Sequence, residues 1–260
     1  MKKILLFLVL LLNAAATFAK TFTKDGVTYT YSRNTASVTS TASGLAHITI
    51  LESITPSDGT TYSVTSIGDY AFSGSDLTSV TIPSSVTSIG AGAFAKCAGL
   101  TSIDVESGNQ NFSSKDGVLF SKDEKTIVCY PAGYTGNSYA IPSTVTSIGE
   151  AAFNGCTKLT SITIPPSVTS IGVGAFGGSV FMSVTIPSSV SSIGAYAFSS
   201  SQLSSIIFAE GSKLTSIEPN TFDQCQYLAS ITIPSSVTSI GEYAFADCSG
   251  LKSAPFAEGG

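Results

Sequence analysis

Apolar residues in this chain alternate with polar ones over short stretches, and the stretches themselves recur. From Leu159 to Ile171 the apolar positions are Leu159, Ile162, Ile164, Val168 and Ile171, set among Thr, Ser and Pro. The alternation of Ser161, Ile162, Thr163 and Ile164 predicts a strand with one face inward and one outward. Pro165 ends it, because proline has no amide hydrogen to continue a ladder. Val168 to Ile171 predicts a second short extended segment on the other side of a coil. Gly172 then permits a turn, and Ala175-Phe176 plugs the core from a short helical turn.

The same arrangement returns along most of the chain. Ile and Phe stand five residues apart at Ile67/Phe72, Ile89/Phe94, Ile148/Phe153, Ile171/Phe176, Ile193/Phe198 and Ile240/Phe245, with Ile217/Phe222 a degenerate copy. Units counted from Val64, Val86, Val145, Val168, Val190, Leu214 and Val237 advance by 22, 59, 23, 22, 24 and 23 residues. A period in this range marks a solenoid, whose units stack because none can bury its apolar side alone. The 59-residue step holds an insertion.

Before the array, residues 1–19 combine Lys2 and Lys3, an apolar run from Ile4 to Leu12 and small residues ending at Ala19. These are the marks of a secretory signal peptide cut after Ala19. The run is about half of the roughly 20 apolar residues that span a bilayer, so no membrane span is expected. Residues 20–63 read as an N-terminal β cap, with Thr21 to Tyr31 alternating around Lys24-Asp25-Gly26; Leu45 to Ile50 already fits the strand of the repeat. The array occupies 64–256, interrupted at about 106–140 by two strands around the charged turn Ser121 to Lys125, a β-hairpin insertion. It is either a flap that contacts a partner or an enlarged coil that only stacks. Residues 257–260 echo Ala209 to Ser212 and read as the start of a further, truncated repeat, which would leave an uncapped C-terminal end prone to self-association.

Two strings carry a resemblance. Leu159, Ile162 and Ile164 followed by Ser167 resemble the leucine-rich repeat core, with Ser in place of the usual Asn. The string from Ile233 to Cys248, repeated in register over about residues 45 to 256, resembles the BspA-like leucine-rich repeat family of bacterial and protist surface proteins. The resemblance implies a β-rich solenoid: a right-handed curved coil with a parallel sheet on its concave face and short helical turns or second short strands on the other side. It also implies secretion and, as in several members, adhesion to an extracellular or cell-surface protein such as a host matrix protein.

Composition narrows the function classes. The mature chain keeps 10 basic and 17 acidic residues, a formal −7, which disfavours nucleic acid as a partner. His47 is the single His, so a Ser-His-Asp site has one candidate base, lying in the cap. Asp104 and Glu106, two apart on one strand, should share a face, but no third ligand accompanies them; no metal, cofactor or catalytic residue is expected. Cys97, Cys156, Cys225 and Cys248 each follow a repeat Phe by three residues, where Ser75, Ser179 and Ser201 stand in other units. They form a small-residue column of buried, unpaired thiols, and Cys129 sits alone in the insertion.

The outward column of the sheet is the candidate binding face: Ser79 and Thr81, Ser102 and Asp104, Ser161 and Thr163, Ser183 and Thr185, Ser205 and Ile207, Ser230 and Thr232. It is a smooth Ser/Thr ladder with little of the aromatic and Arg content that supplies most binding energy at interfaces. Asp104, Glu106 and Ile207 depart from it and are where specificity is expected. The chain therefore reads as a secreted, non-catalytic protein-binding solenoid. The alternatives are a structural spacer within a longer surface protein and a carbohydrate-binding protein; the second usually wants aromatic platforms, and Trp is absent.

Overall fold

The computed structural model describes residues 19–258, so the expected leader lies outside the described residues but for Ala19. The chain forms a curved β-solenoid of about eight turns. Each coil contributes an outward-facing strand to one parallel ladder and a two-residue Ser-Ile strand to another. The first ladder runs through His47–Thr49, Ser79–Ile82 and Ser102–Val105, resumes at Ser138–Ala140 and Ser161–Thr163, and again at Ser183–Ile186 and Ser205–Phe208. The second joins Thr126–Cys129, Ser147–Ile148, Ser170–Ile171 and Ser192–Ile193 in one parallel path. Ser pairs with Ser and Ile with Ile across these rungs, because equal units stack without a register shift.

At the N-terminal end, Lys20–Lys24, Val27–Ser32 and Thr35–Thr41 form an antiparallel meander whose last strand pairs parallel with Tyr62–Ile67. Val27, Tyr29 and Tyr31 are buried in the same cluster as Ile67 and Phe72, which closes that end of the core to water.

The repeat Phe residues make a ring column through the coils. Phe153, Phe176, Phe198, Phe222 and Phe245 stack successively at 5.3–5.5 Å between centroids. The corner that carries each ring is not helical. Its amides alternate between closing a tight turn within the coil (Ala175 N to Gly172 O, 3.3 Å) and reaching the next coil (Phe176 N to Ala197 O, 2.8 Å). Left-handed residues three and seven after each repeat Ile reverse the backbone so that this alternation can run: Gly174 and Gly178, Ala151 and Gly155, Tyr196 and Ser200, Asn220 and Gln224.

The repeat glycine has a different cause from the one its sequence position suggests. Gly172 has no positive φ; a Cβ there would lie 2.7 Å from Glu150 N and from Gly149 C. The residue is small because neighbouring coils bring their backbones together at that point, and the turn itself is made two residues later.

The insertion is built into the stack. Phe112–Lys115 and Val118–Ser121 form an antiparallel hairpin, and Thr126–Cys129 follows as a rung of the second ladder. Val118, Leu119 and Phe120 are all buried, Leu119 packing with the N-terminal core cluster and its two neighbours with the C-terminal one. That strand is a partition between two cores, so it cannot act as a flap. Tyr130 occupies the ring column, stacked 5.1 Å from Phe153, only three residues after Ile127. The inserted coil is therefore two residues short at its corner.

All five cysteines are free, Cys248 half-buried and the others buried. In this column the thiols reach the Phe carbonyl of the preceding coil, Cys97 Sγ to Phe72 O at 2.9 Å, Cys225 to Phe198 O at 3.1 Å and Cys248 to Phe222 O at 3.0 Å, while the Ser75 and Ser201 hydroxyls meet the Cys97 and Cys225 thiols of the next coil. Burial pushes the Cys97, Cys129 and Cys156 thiols up, while the hydrogen bond between Cys225 and Cys248 raises the first and lowers the second. Only thiolate reacts. At pH 8 a disulfide reagent should label Cys248 alone in the native protein and all five thiols in denaturant; rapid native labelling of two or more would contradict this packing. The raised native values also mean that stability is fully present below the ordinary thiol value of 9.0 and falls as pH climbs above it.

Candidate functional site

The sheet face is set by the register of the first ladder. Ser79 stands beside Ser102 and Thr81 beside Asp104; further along, Ser183 stands beside Ser205 and Thr185 beside Ile207. Ser161 and Thr163 pair with Ser138 and Ala140, and Ser230 bridges to Ser253. Asp104, Ser161, Thr163, Ser183, Thr185, Ile207, Ser230 and Thr232 are exposed, while Ser79, Thr81, Ser102 and Ser205 are half-buried. The inward partners Val80, Ile103, Ile162, Val184, Ile206 and Ile231 are buried, as a period of two requires.

Glu106 does not join this face. The strand ends at Val105, and Glu106 Oε2 turns back to accept from the Ser84 amide at 3.0 Å. Beside it Glu52 Oε1 accepts from Ser84 Oγ at 2.8 Å. Glu106 is an inter-coil tie, and Asp104, held only loosely by Ser102 Oγ at 3.4 Å, is the free carboxylate.

Two features were not assigned to the face by sequence reasoning. His47 belongs to the ladder, its Nδ1 2.8 Å from Ser79 Oγ, which places the single imidazole one coil from Ser79 and two from the strand that carries Ser102 and Asp104. The pattern Leu45 to Ile50 was the signal for it. The second feature is a cleft of about 540 Å³ beside Ile207, between the Glu210-Gly211-Ser212 loop and the coil carrying Thr232 and Ser236. The 24-residue step from Val190 to Leu214 was its signal, since the extra length forms the loop.

The face is also interrupted. Gly117, at the hairpin turn, accepts from the Ile103 amide at 2.9 Å, and Ser114 Oγ from the Val105 amide at 3.0 Å. The hairpin thus saturates the edge of the Ser102–Val105 strand, and the ladder restarts at Ser138. Among the described residues no cluster of three or more His, Cys, Asp or Glu could hold a metal ion, and one ion pair occurs, Lys20 with Asp58 at 3.8 Å. What the face can do is bind: it offers short hydroxyls, one carboxylate, one imidazole and one exposed aliphatic side chain. No helix of the described residues is long and apolar enough to cross a membrane.

Comparison with known proteins agrees with this architecture. The family profile described as BspA type leucine-rich repeat region matches residues 42–124 and 132–252, in 6 copies. Among solved structures, a leucine-rich repeat protein from Eubacterium ventriosum superposes with a TM-score of 0.69 at 22% identity, over 89% of this chain and 83% of that one. A leucine-rich repeat protein from Bacteroides ovatus is 29% identical over 90% of this chain and 52% of its own, with a TM-score of 0.47. No curated protein matches the chain.

Proposed function

We propose that this chain, which belongs to the BspA-type leucine-rich repeat family, is an extracellular adhesion scaffold that holds a protein partner against its sheet face. The leader-like residues 1–19 support export. The observation that carries the reading is Ile207, 56% exposed in a column otherwise made of Thr, Ala and Asp104, at the lip of the 540 Å³ cleft. An apolar side chain at a concave edge is the kind of anchor around which a binding patch forms, with the hydroxyl ladder as its polar rim. Asp104 and His47 add a carboxylate and an imidazole, two coils apart, toward the other end of the same face.

The test is binding of the mature chain, from Lys20, to a panel of extracellular matrix and cell-surface proteins, beside a variant carrying Asp104→Ser and Ile207→Thr. Saturable binding to a protein, weakened at least about tenfold (about 1.4 kcal/mol) in the variant, is expected. No binding across the panel by a folded chain would turn the assignment to a structural spacer, for which the uniform Ser/Thr ladder is already well suited.

A further inference from the structure

The short corner of the inserted coil breaks the inter-coil ladder at one place. Tyr70, Phe72 and Gly74 donate to Ala91, Ala93 and Ala95, and every later full coil from Ala151 to Gln224 repeats this pattern. The coil of Ile89 does not: Gly92 and Phe94 make no such bond, and Lys96 N skips the inserted coil to reach Asn154 O at 3.1 Å. On the other side the Glu150 carbonyl, whose equivalents Ala91 and Val173 each accept one of these bonds, accepts none. These unpaired groups surround a crevice of about 10 Å³, room for a single water or hydroxyl.

Above the crevice lies a cleft of about 320 Å³, in the size range of ligand pockets. Its ends are two tyrosines, Tyr70 and Tyr196, 62% and 48% exposed. Both sit in the left-handed region, at φ 54° and 58°, at the corner position that is Gly92, Ala151 and Gly174 in the three full coils between them, the inserted coil lacking it. The left-handed backbone there belongs to every full coil; what sets these two apart is that each carries an exposed ring lining the cleft. The Tyr70 ring lies over Gly92, where a Cβ would stand 2.6 Å from it, and Ala151 and Gly174 line the trough that runs on to Tyr196. Its walls carry Lys96, Glu150 and Asn154; the Asn154 amide donates to Gly174 O at 3.1 Å while its buried Oδ1 has no partner.

We propose that this cleft binds a neutral mono- or disaccharide unit of a glycan. Tyrosine rings offer apolar faces to the C–H faces of a sugar and a hydroxyl at the rim. Donors and acceptors in near balance, with one cation and one anion, suit a ligand rich in hydroxyls and without net charge. The crevice takes one hydroxyl or bridging water onto the unpaired amides. A peptide would instead call for an exposed sheet edge or a continuous apolar groove, and this site has neither. The cleft lies on the turn side of the coil, away from the sheet face, so the two sites are independent.

Glycan-array screening of the mature chain should retain a neutral glycan, and saturation-transfer NMR with its terminal sugar should give signal. Tyr70→Ala and Tyr196→Ala should each weaken binding at least about tenfold. Tyr243→Ala, at the same corner position outside the cleft, and Asp104→Ser with Ile207→Thr on the sheet face should leave it unchanged. Circular dichroism checks the fold; if a tyrosine variant unfolds, Lys96→Ala, an exposed wall residue, reads the same site. No retained glycan, capture of peptides in its place, or glycan binding that survives loss of both tyrosines would overturn the proposal.

Discussion

Phe176→Ala should remove about 4 kcal/mol or more of stability and change the shape of unfolding as well as its midpoint. The ring is fully buried, stacked on Phe153 and Phe198 at 5.3 Å each and set edge-on to Phe181 at 5.6 Å. Truncating a buried Phe costs about 3–5 kcal/mol through lost transfer energy and the cavity left behind, and aromatic pairs add about 0.5–1.5 kcal/mol each. This site belongs toward the upper end because the core is one coil thick: coils on either side cannot slide together without breaking the ladders that flank the ring. In a quasi-one-dimensional protein, stability is carried by nearest-neighbour interfaces. Loss of one ring therefore weakens the coupling between the two parts of the array, and the urea transition followed by far-ultraviolet circular dichroism should broaden or split. Phe176→Leu, refilling much of the volume, should recover part of the loss. A single sharp transition with less than about 2 kcal/mol lost would mean that the coils repack across the gap.

Asn109→Ala should cost about 3–5 kcal/mol, although Asn109 lies outside the repeat words. It is fully buried and uses both halves of its amide. Nδ2 donates to Pro83 O at 2.8 Å and Val86 O at 2.9 Å in the preceding coil, and Oδ1 accepts from the Asn111 and Phe112 amides at 2.8 and 2.9 Å. Elsewhere in the array a serine hydroxyl does the lesser job, as Ser167 Oγ to Val145 O at 2.7 Å and Ser189 Oγ to Val168 O at 2.7 Å. Leaving a buried donor or acceptor unmatched costs about 1–3 kcal/mol, and Ala would leave three groups without this partner, the Val86 carbonyl and the Asn111 and Phe112 amides, while Pro83 O keeps the Val86 amide. Asn109→Asp should do no better, because it keeps the acceptors but buries a carboxylate against two carbonyls. Equilibrium urea melts give the loss, and hydrogen exchange should be fastest at Asn111 and Phe112, the start of the hairpin. A cost below about 1 kcal/mol would imply that water enters and replaces the amide.

The two residues differ in how legible they were. Phe176 announces itself, since a ring five residues after Ile recurs seven times and a repeated apolar position in a stacked array has one place to go. Asn109 sits where the register fails, and its partners are carbonyls 23 and 26 residues back, which no local pattern marks. The glycine after each repeat Ile was legible as a small residue but not for its cause, because φ and close approach leave the same trace in a sequence. Glu106 was placed beside Asp104 by strand alternation; the strand stops one residue before it.

What the sequence determined by itself was the cross-section of the coil and its multiplication: which residues face in, which face out, and that equal units stack in register. Those features follow from residue type and period alone, since each unit must bury the same face against its neighbour. Only the tertiary structure decided where that regularity fails. The two missing residues before Tyr130 have no consequence within their own coil. Their effect arises between coils, where a shortened corner leaves neighbouring backbones without partners and opens the cleft between Tyr70 and Tyr196. The Ile207 cleft has the same origin, as added loop length becomes a cavity only when the next coil closes over it.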